Sequence, residues 1–162
     1  MSTIMVQVMG PQKTEETLHF ACALARGKQV KVALVKMVPV PHLSWLGTEL
    51  GDANFTSQDA QALEEYRAIA ESYEVEVETH TYQYTTMTSA LAQAANYVDA
   101  QVVFAELPPS ILPFWYKFRV WLLRQYLSQH DCHLYLLEHG AGPMYWTPSI
   151  LMPATSPRHS NG

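Results

Sequence analysis

The sequence has no apolar run that reaches the roughly 18 residues a helix needs to cross a bilayer. Its first residues also lack the charged, apolar and small-residue succession of a signal peptide. The expectation is a cytoplasmic chain with no membrane span of its own. Cysteine is scarce: Cys22 and Cys132 lie far apart and match neither a disulfide framework nor paired zinc ligands. A reducing compartment suits them. Charge is scarce as well, at 15% of residues, against roughly 25% in typical soluble domains. Some surface must then be apolar or aromatic, as an interface would be. With 10 bases against 15 acids the formal net charge is −5, so no overall positive field attracts a phosphate backbone, and nucleic acid is not an expected partner.

Catalytic signatures are missing too. There is no Gly-x-Ser-x-Gly elbow, Walker loop, dinucleotide fingerprint or zincin helix. The expectation is a protein that is not an enzyme and uses no cofactor.

What is present is a succession of buried strands and amphipathic helices. The 48% apolar content over 162 residues suffices for one core, which buries roughly two thirds of the unfolded surface at this length. Ile4-Met-Val-Gln-Val-Met9 is almost continuously apolar and β-rich, the pattern of a central strand covered on both faces. Leu18, Ala21, Cys22 and Ala25 predict a helix over 14–26, with Glu15 and Glu16 at its positive end and Gly27 closing it. A second buried strand covers 30–38 and stops at Pro39-Val-Pro41. A long unperiodic loop to Thr56 follows, punctuated by Gly47 and Gly51.

Thr56 and Asp59 resemble a capping box, and Ala62, Tyr66, Ile69 and Tyr73 form the inward stripe of a second helix. Residues 75–82 alternate strictly, which predicts a wetter strand near an edge. A third helix is expected over 87–98, capped by Thr85 or Thr86, with Met87, Leu91, Ala94, Ala95 and Val98 inward. A fourth strand over 102–105, a helix opened by Pro113 and running to Ser128, and a fifth strand over 133–137 complete the pattern. Strands alternating with helices select an α/β fold. The expected form is a five-stranded, mainly parallel sheet of order 3-2-1-4-5 with helices on both faces. The domain is expected over 1–141, with 142–162 as a C-terminal extension disordered at its end.

This order of elements resembles the universal stress protein family across about residues 3 to 139. Val35-Lys-Met-Val-Pro39 looks like that family's second-strand ending, and Ala100-Gln-Val-Val-Phe104 like the approach to its fourth strand. In nucleotide-binding members an aspartate ends the first strand, and a Gly-x2-Gly-x9-Gly-Ser/Thr loop follows the fourth. The corresponding positions hold Met9 and Glu106-Leu-Pro-Pro-Ser-Ile-Leu-Pro113. A loop without glycine, with three donor-less prolines and a carboxylate, is unsuited to phosphate. The resemblance therefore implies the fold and argues against ATP.

Over the last third of the chain, Val103-Phe-Ala-Glu-Leu-Pro-Pro109, Trp121-Leu-Leu123 and Leu134-Tyr-Leu-Leu-Glu-His-Gly140 offer a second likeness. They resemble the stress-protein-like soluble C-terminal domains of amino acid–polyamine–organocation transporters, including cation–chloride cotransporters. That resemblance implies packing against another copy or against a transporter's membrane part, at the inner face of the membrane.

Among candidate residues, His130, Asp131, Cys132 and His133, with Glu138 and His139 nearby, are ligand types without a zinc spacing. A polar helix-to-strand junction explains them, and no metal site is expected. Cys22 reads as a small core hydrophobe rather than a nucleophile. The crevice outside the strand ends is expected among Met9, Gly10, Pro39, Glu106 and Leu107, with Glu106 either touching a ligand or facing water. The fourth helix carries too many apolar residues for one inward stripe. Trp115, Tyr116, Phe118, Trp121, Tyr135, Tyr145 and Trp146 are the candidate interface, and a covering segment from Pro143 to Pro153 is the competing explanation. The fifth strand is expected to be an uncovered edge suited to dimerisation.

Two function classes follow. One is a regulatory or assembly domain acting by dimerisation and partner contacts, in the form of a transporter's cytosolic domain or alone. The other is a stand-alone stress protein that binds a nucleotide or another small ligand.

Overall fold

The computed structural model describes residues 2–40, 57–137 and 146–148. Strand β1 (Thr3–Gln7) is buried at every position, as a strand covered on both faces must be. Its side chains alternate between two cores: Ile4 and Val6 join one, Met5 the other. Helix α1 (Pro11–Lys28) leads to β2 (Lys31–Pro39), α2 (Ser57–Ser72) and β3 (Val77–Tyr84). Helix α3 (Met87–Tyr97) then leads to β4 (Ala100–Ala105), α4 (Pro113–Ser128), β5 (His133–Leu137) and β6 (Trp146–Pro148).

The strand order is β3-β2-β1-β4-β5-β6. The first five are parallel in the expected order 3-2-1-4-5, in registers such as Val6 beside Leu34 and Met5 beside Val103. β6 departs from expectation. It falls in the segment read as an extension and pairs antiparallel with β5, Leu137 opposite Trp146. The fifth strand is therefore not an uncovered edge, because backbone groups of residues 146–148 occupy the side away from β4. β3 is half-buried along its whole length, as its edge position allows, and the alternation read over 75–82 does not separate a wetter face from a drier one.

Helices α1 and α2 cover one face of the sheet, where Leu18, Ala21, Cys22, Tyr66 and Ala70 meet Ile4, Val32 and Leu34. α3 and α4 cover the other, where Leu91, Ala94, Val120, Leu123 and Leu127 meet Met5, Val35, Val103 and Leu136. Val8 lies past the end of β1 and is half-buried rather than part of the fully enclosed core.

α1 starts three residues before the expected Thr14, with Gly10 as N-cap and Pro11 as its first residue. Proline suits that position because its fixed φ is helical and the missing N–H has no intrahelical partner there. Glu15 and Glu16 therefore fall beyond the first turn, which holds no acid. The helix also outruns Gly27 and ends at Gln29, whose φ is 56°. The Val30 N–H then donates to Ala25 O at 3.1 Å, closing a left-handed end. Glu74 after α2 and Asp131 after α4 repeat the device, with Val75 N–H to Ala70 O and Cys132 N–H to Leu127 O. A non-glycine residue at positive φ costs roughly 1 kcal/mol, offset by the carbonyls it satisfies. In α2, Asp59 takes an ion pair from Lys36 at 2.7 Å, while Thr56 of the expected capping box lies outside the described residues.

Candidate functional site

β1 has β2 on one side and β4 on the other, so α1 and α4 leave the sheet toward opposite faces. A crevice outside the strand ends at such a reversal is where open α/β sheets bind ligands. Four of the expected residues gather there. Gly10 caps α1, the Met9 N–H donates to Thr14 Oγ1 at 2.8 Å, Glu106 follows β4, and Leu107 is fully buried beneath. Pro39 ends the neighbouring β2 and is exposed.

Two residues not singled out in the sequence decide the crevice's chemistry. Lys13, in the first turn of α1, places its Nζ 2.7 Å from Glu106 Oε1. Gln7, the last residue of β1, accepts the Glu106 N–H on its Oε1 at 2.9 Å. The ammonium at the mouth of the crevice thus meets a carboxylate of the same chain, and the first N–H of the loop after β4 is already bonded. A Cβ added at Gly10 would meet nothing within 4 Å, so that glycine is not a close-approach position of the kind that lets backbone surround a phosphate.

Away from this crevice, a cleft of about 630 Å³ opens at the N-terminal ends of the strands, bordered by Ser2, Arg26, Gln29, Lys31, Glu74 and Glu76. Its charges are of both signs, and Arg26 and Glu74 pair across 3.5 Å. A smaller one of about 250 Å³ lies between β3 and α3, beside His80, Tyr82 and Tyr97. Among the described residues no three metal-ligand side chains converge. His130, Asp131 and His133 are exposed while Cys132 is buried, and Glu138 and His139 lie outside the described residues. Burial pushes the Cys22 thiol up to about 11 and the Cys132 thiol to about 12, so both stay protonated and poor as nucleophiles.

α4 is the other candidate. Val120, Leu123 and Leu127 fill the core, and Tyr116 is half-buried against it. The opposite side of the same helix is apolar as well: Phe114 is 73% exposed, Trp115 52%, Phe118 39% and Trp121 51%. Their rings form a continuous row, with centroids 6.3 Å apart from Phe114 to Trp115, 6.1 Å from Trp115 to Phe118 and 6.0 Å from Phe118 to Trp121. Leu122 and Tyr126 border it, and Ile111, just before the helix, is 99% exposed.

Of the seven expected interface residues, the structure brings together Trp115, Phe118 and Trp121. Tyr116 turns toward the core. Tyr135 stacks on Phe104 at 5.2 Å, in the core of the α1–α2 face and so across the sheet from α4. The backbone of residues 146–148 forms β6, and Tyr145 and the other residues of the segment from Pro143 to Pro153 lie outside the described residues. Ile111 and Leu112 were missed as surface residues, and Phe114 counted in the apolar excess of the fourth helix but not in the candidate interface. The prolines flanking Ser110 to Leu112 were the signal that this stretch stands away from regular packing.

No family model matches the sequence, and no curated protein matches it significantly. Solved structures do share its fold. A protein from the universal stress protein family of Burkholderia pseudomallei superposes with a TM-score of 0.56 at 15% identity, covering 85% of this chain and 96% of its own. A universal stress protein in complex with cAMP gives 0.54 at 12%, covering 85% and 96%. One from Archaeoglobus fulgidus gives 0.54 at 17%, covering 85% and 94%. At these identities the likeness is one of architecture: the chain has the fold of the universal stress proteins.

Proposed function

We propose that this chain is a non-catalytic docking module, regulatory or assembling in role, that works through the outward face of α4. The observation that carries the reading is the exposed row Phe114, Trp115, Phe118 and Trp121, which lies opposite the core-filling residues of the same helix. Leaving apolar surface in water costs about 25 cal/mol per Å², and a contiguous patch of it marks an interaction site. Dimerisation is one form such docking takes. Attachment to an amino acid or cation–chloride type transporter is a narrower form that no comparison supports.

The comparisons favour a second reading, a stand-alone stress protein that binds a nucleotide in the strand-end crevice, because one structure of the same fold is a complex with cAMP. The Lys13–Glu106 pair and the proline-bearing loop weigh against it. Calorimetry of the full chain with cAMP and with Mg-ATP discriminates the two. Docking predicts no saturable heat. A micromolar site that Lys13→Ala abolishes would overturn docking in favour of nucleotide binding.

A further inference from the structure

Net charge conceals an asymmetry between the two helical layers. α1 and α2 together carry four bases and six acids. α3 and α4 carry three bases, Lys117, Arg119 and Arg124, and no acid. The acid-free stretch is longer than the helix: no Asp or Glu occurs from Leu107 to His130. A chain that is acidic overall thus presents one basic layer, and that layer bears the exposed aromatic row.

The arrangement around α4 is specific. At 100° per residue, Phe114, Phe118 and Trp121 point directly away from the buried stripe of Val120, Leu123 and Leu127. Lys117 and Arg124 flank this outward face on one side and Arg119 on the other. Lys117 is exposed, and both arginines are half-buried. Long basic side chains in such flanking positions lay their alkyl stems along apolar surface and extend their charged ends beyond it. Tryptophan and phenylalanine between them are the residues that partition to the headgroup level of a bilayer.

We propose that this face binds the surface of a bilayer containing anionic lipids. α4 lies along the surface, Ile111, Phe114, Trp115, Phe118 and Trp121 enter the headgroup layer, and Lys117 and Arg119 meet lipid phosphate and carboxylate groups. No helix among the described residues is long and apolar enough to cross a membrane, so the contact is peripheral. The inference rests on the docking reading and names its partner. Charge selects that partner over a second copy. A two-fold contact through α4 would bring two sets of bases together with no acid on either helix to pair them. Relief argues the same way, since Ile111 at 99% and Phe114 at 73% exposure project from the surface, as residues that insert between headgroups do.

The test is flotation of the full chain with phosphatidylcholine vesicles, and with vesicles in which phosphatidylserine replaces part of the phosphatidylcholine. Binding is expected to the second kind, weakening as salt rises, with a blue shift of tryptophan emission that Trp115→Phe, Trp121→Phe removes. Lys117→Gln, Arg119→Gln is expected to lower the affinity roughly thirtyfold. Phe118→Ala, Trp121→Ala should abolish binding while circular dichroism stays native. Equal binding to both vesicles, or binding that these variants leave unchanged, overturns the inference. No vesicle binding overturns it as well, and sedimentation then separates two cases. Self-association weakened by Phe118→Ala, Trp121→Ala keeps the docking reading with a second copy as occupant. A monomer with a saturable nucleotide site removes both.

Discussion

Lys13 and Glu106 stand 93 residues apart in the chain and 2.7 Å apart in space, joining the first turns of α1 to the loop after β4. The Glu106 side chain is 18% exposed and that of Lys13 44%. The pair thus spans the crevice with its carboxylate sheltered and its ammonium partly wet. In a phosphate-binding crevice a cation and free N–H groups would await the ligand. In this chain the cation is engaged internally and the Glu106 N–H is bonded to Gln7. The pair is a structural joint between α1 and the loop after β4.

A double-mutant cycle measures that joint. Lys13→Met and Glu106→Gln are each expected to lower unfolding free energy by about 0.5–1.5 kcal/mol, with a coupling of about 1 kcal/mol, discounted for the exposure of Lys13. Urea denaturation of the four proteins reads the coupling, and a value indistinguishable from zero would dissolve the joint.

A second ion pair gives a pH signature. Lys31 donates to Glu78, tying β2 to the edge strand β3. This hydrogen bond, reinforced by His80 at 3.4 Å, holds the Glu78 carboxyl below the ordinary carboxylate range. A depressed folded-state pKa contributes stability above the unfolded value of about 4.3 and loses it as pH falls through the folded value. Glu78→Gln should therefore melt earlier than the original chain at neutral pH, by less than about 1 kcal/mol, and the two should converge as pH falls through the folded value. A constant difference across that range would assign the effect to packing.

The sheet was legible because its signals are local. A strand buried on both faces must be apolar throughout, as 4–6, 32–35 and 102–105 are, and an edge strand carries polar residues, as Val77–Tyr84 does. Pro113 marked the start of α4 for an equally local reason. The ends of α1 were less legible. The apolar period begins only at Leu18, well inside the helix, and Gly27 drew the eye from Gln29, where the carbonyls of Ala25 and Arg26 are satisfied. β6 has three residues, too few for any period. Lys13–Glu106 is a product of topology, with no trace in either neighbourhood. At the candidate interface, the excess of apolar residues on α4 was visible, but strand alternation carries Tyr135 to the other face of the sheet, which composition does not reveal.

Both cysteines should be silent in the native state. Cys22 packs in the α1–α2 core and Cys132 in the α3–α4 core, and burial raises their pKa to about 11 and about 12. Thiolate is the reactive form. Iodoacetamide near neutral pH is therefore expected to label neither residue in the folded chain and both in denaturant, followed by mass spectrometry. Rapid native labelling of Cys22 would restore it as a nucleophile.

Trp121 and Leu123 lie two residues apart on α4, on opposite sides of it, and this separates a surface that serves docking from one that serves the fold. Leu123 is 1% exposed and packs into the α3–α4 core. Leu123→Ala deletes buried atoms and leaves a cavity, at a cost of about 2–5 kcal/mol. Trp121 is 51% exposed and touches Phe118 in the outward row. Its removal is expected to change unfolding free energy by no more than about 0.5 kcal/mol, the ordinary range for surface substitutions. By residue size the tryptophan should be the costlier loss, so the predicted order reverses what volume alone implies. Urea titrations of the two single variants read it. If Trp121→Ala proved as damaging as Leu123→Ala, the aromatic row would be part of the protein's own core, covered by another part of the chain, and no longer available to a partner.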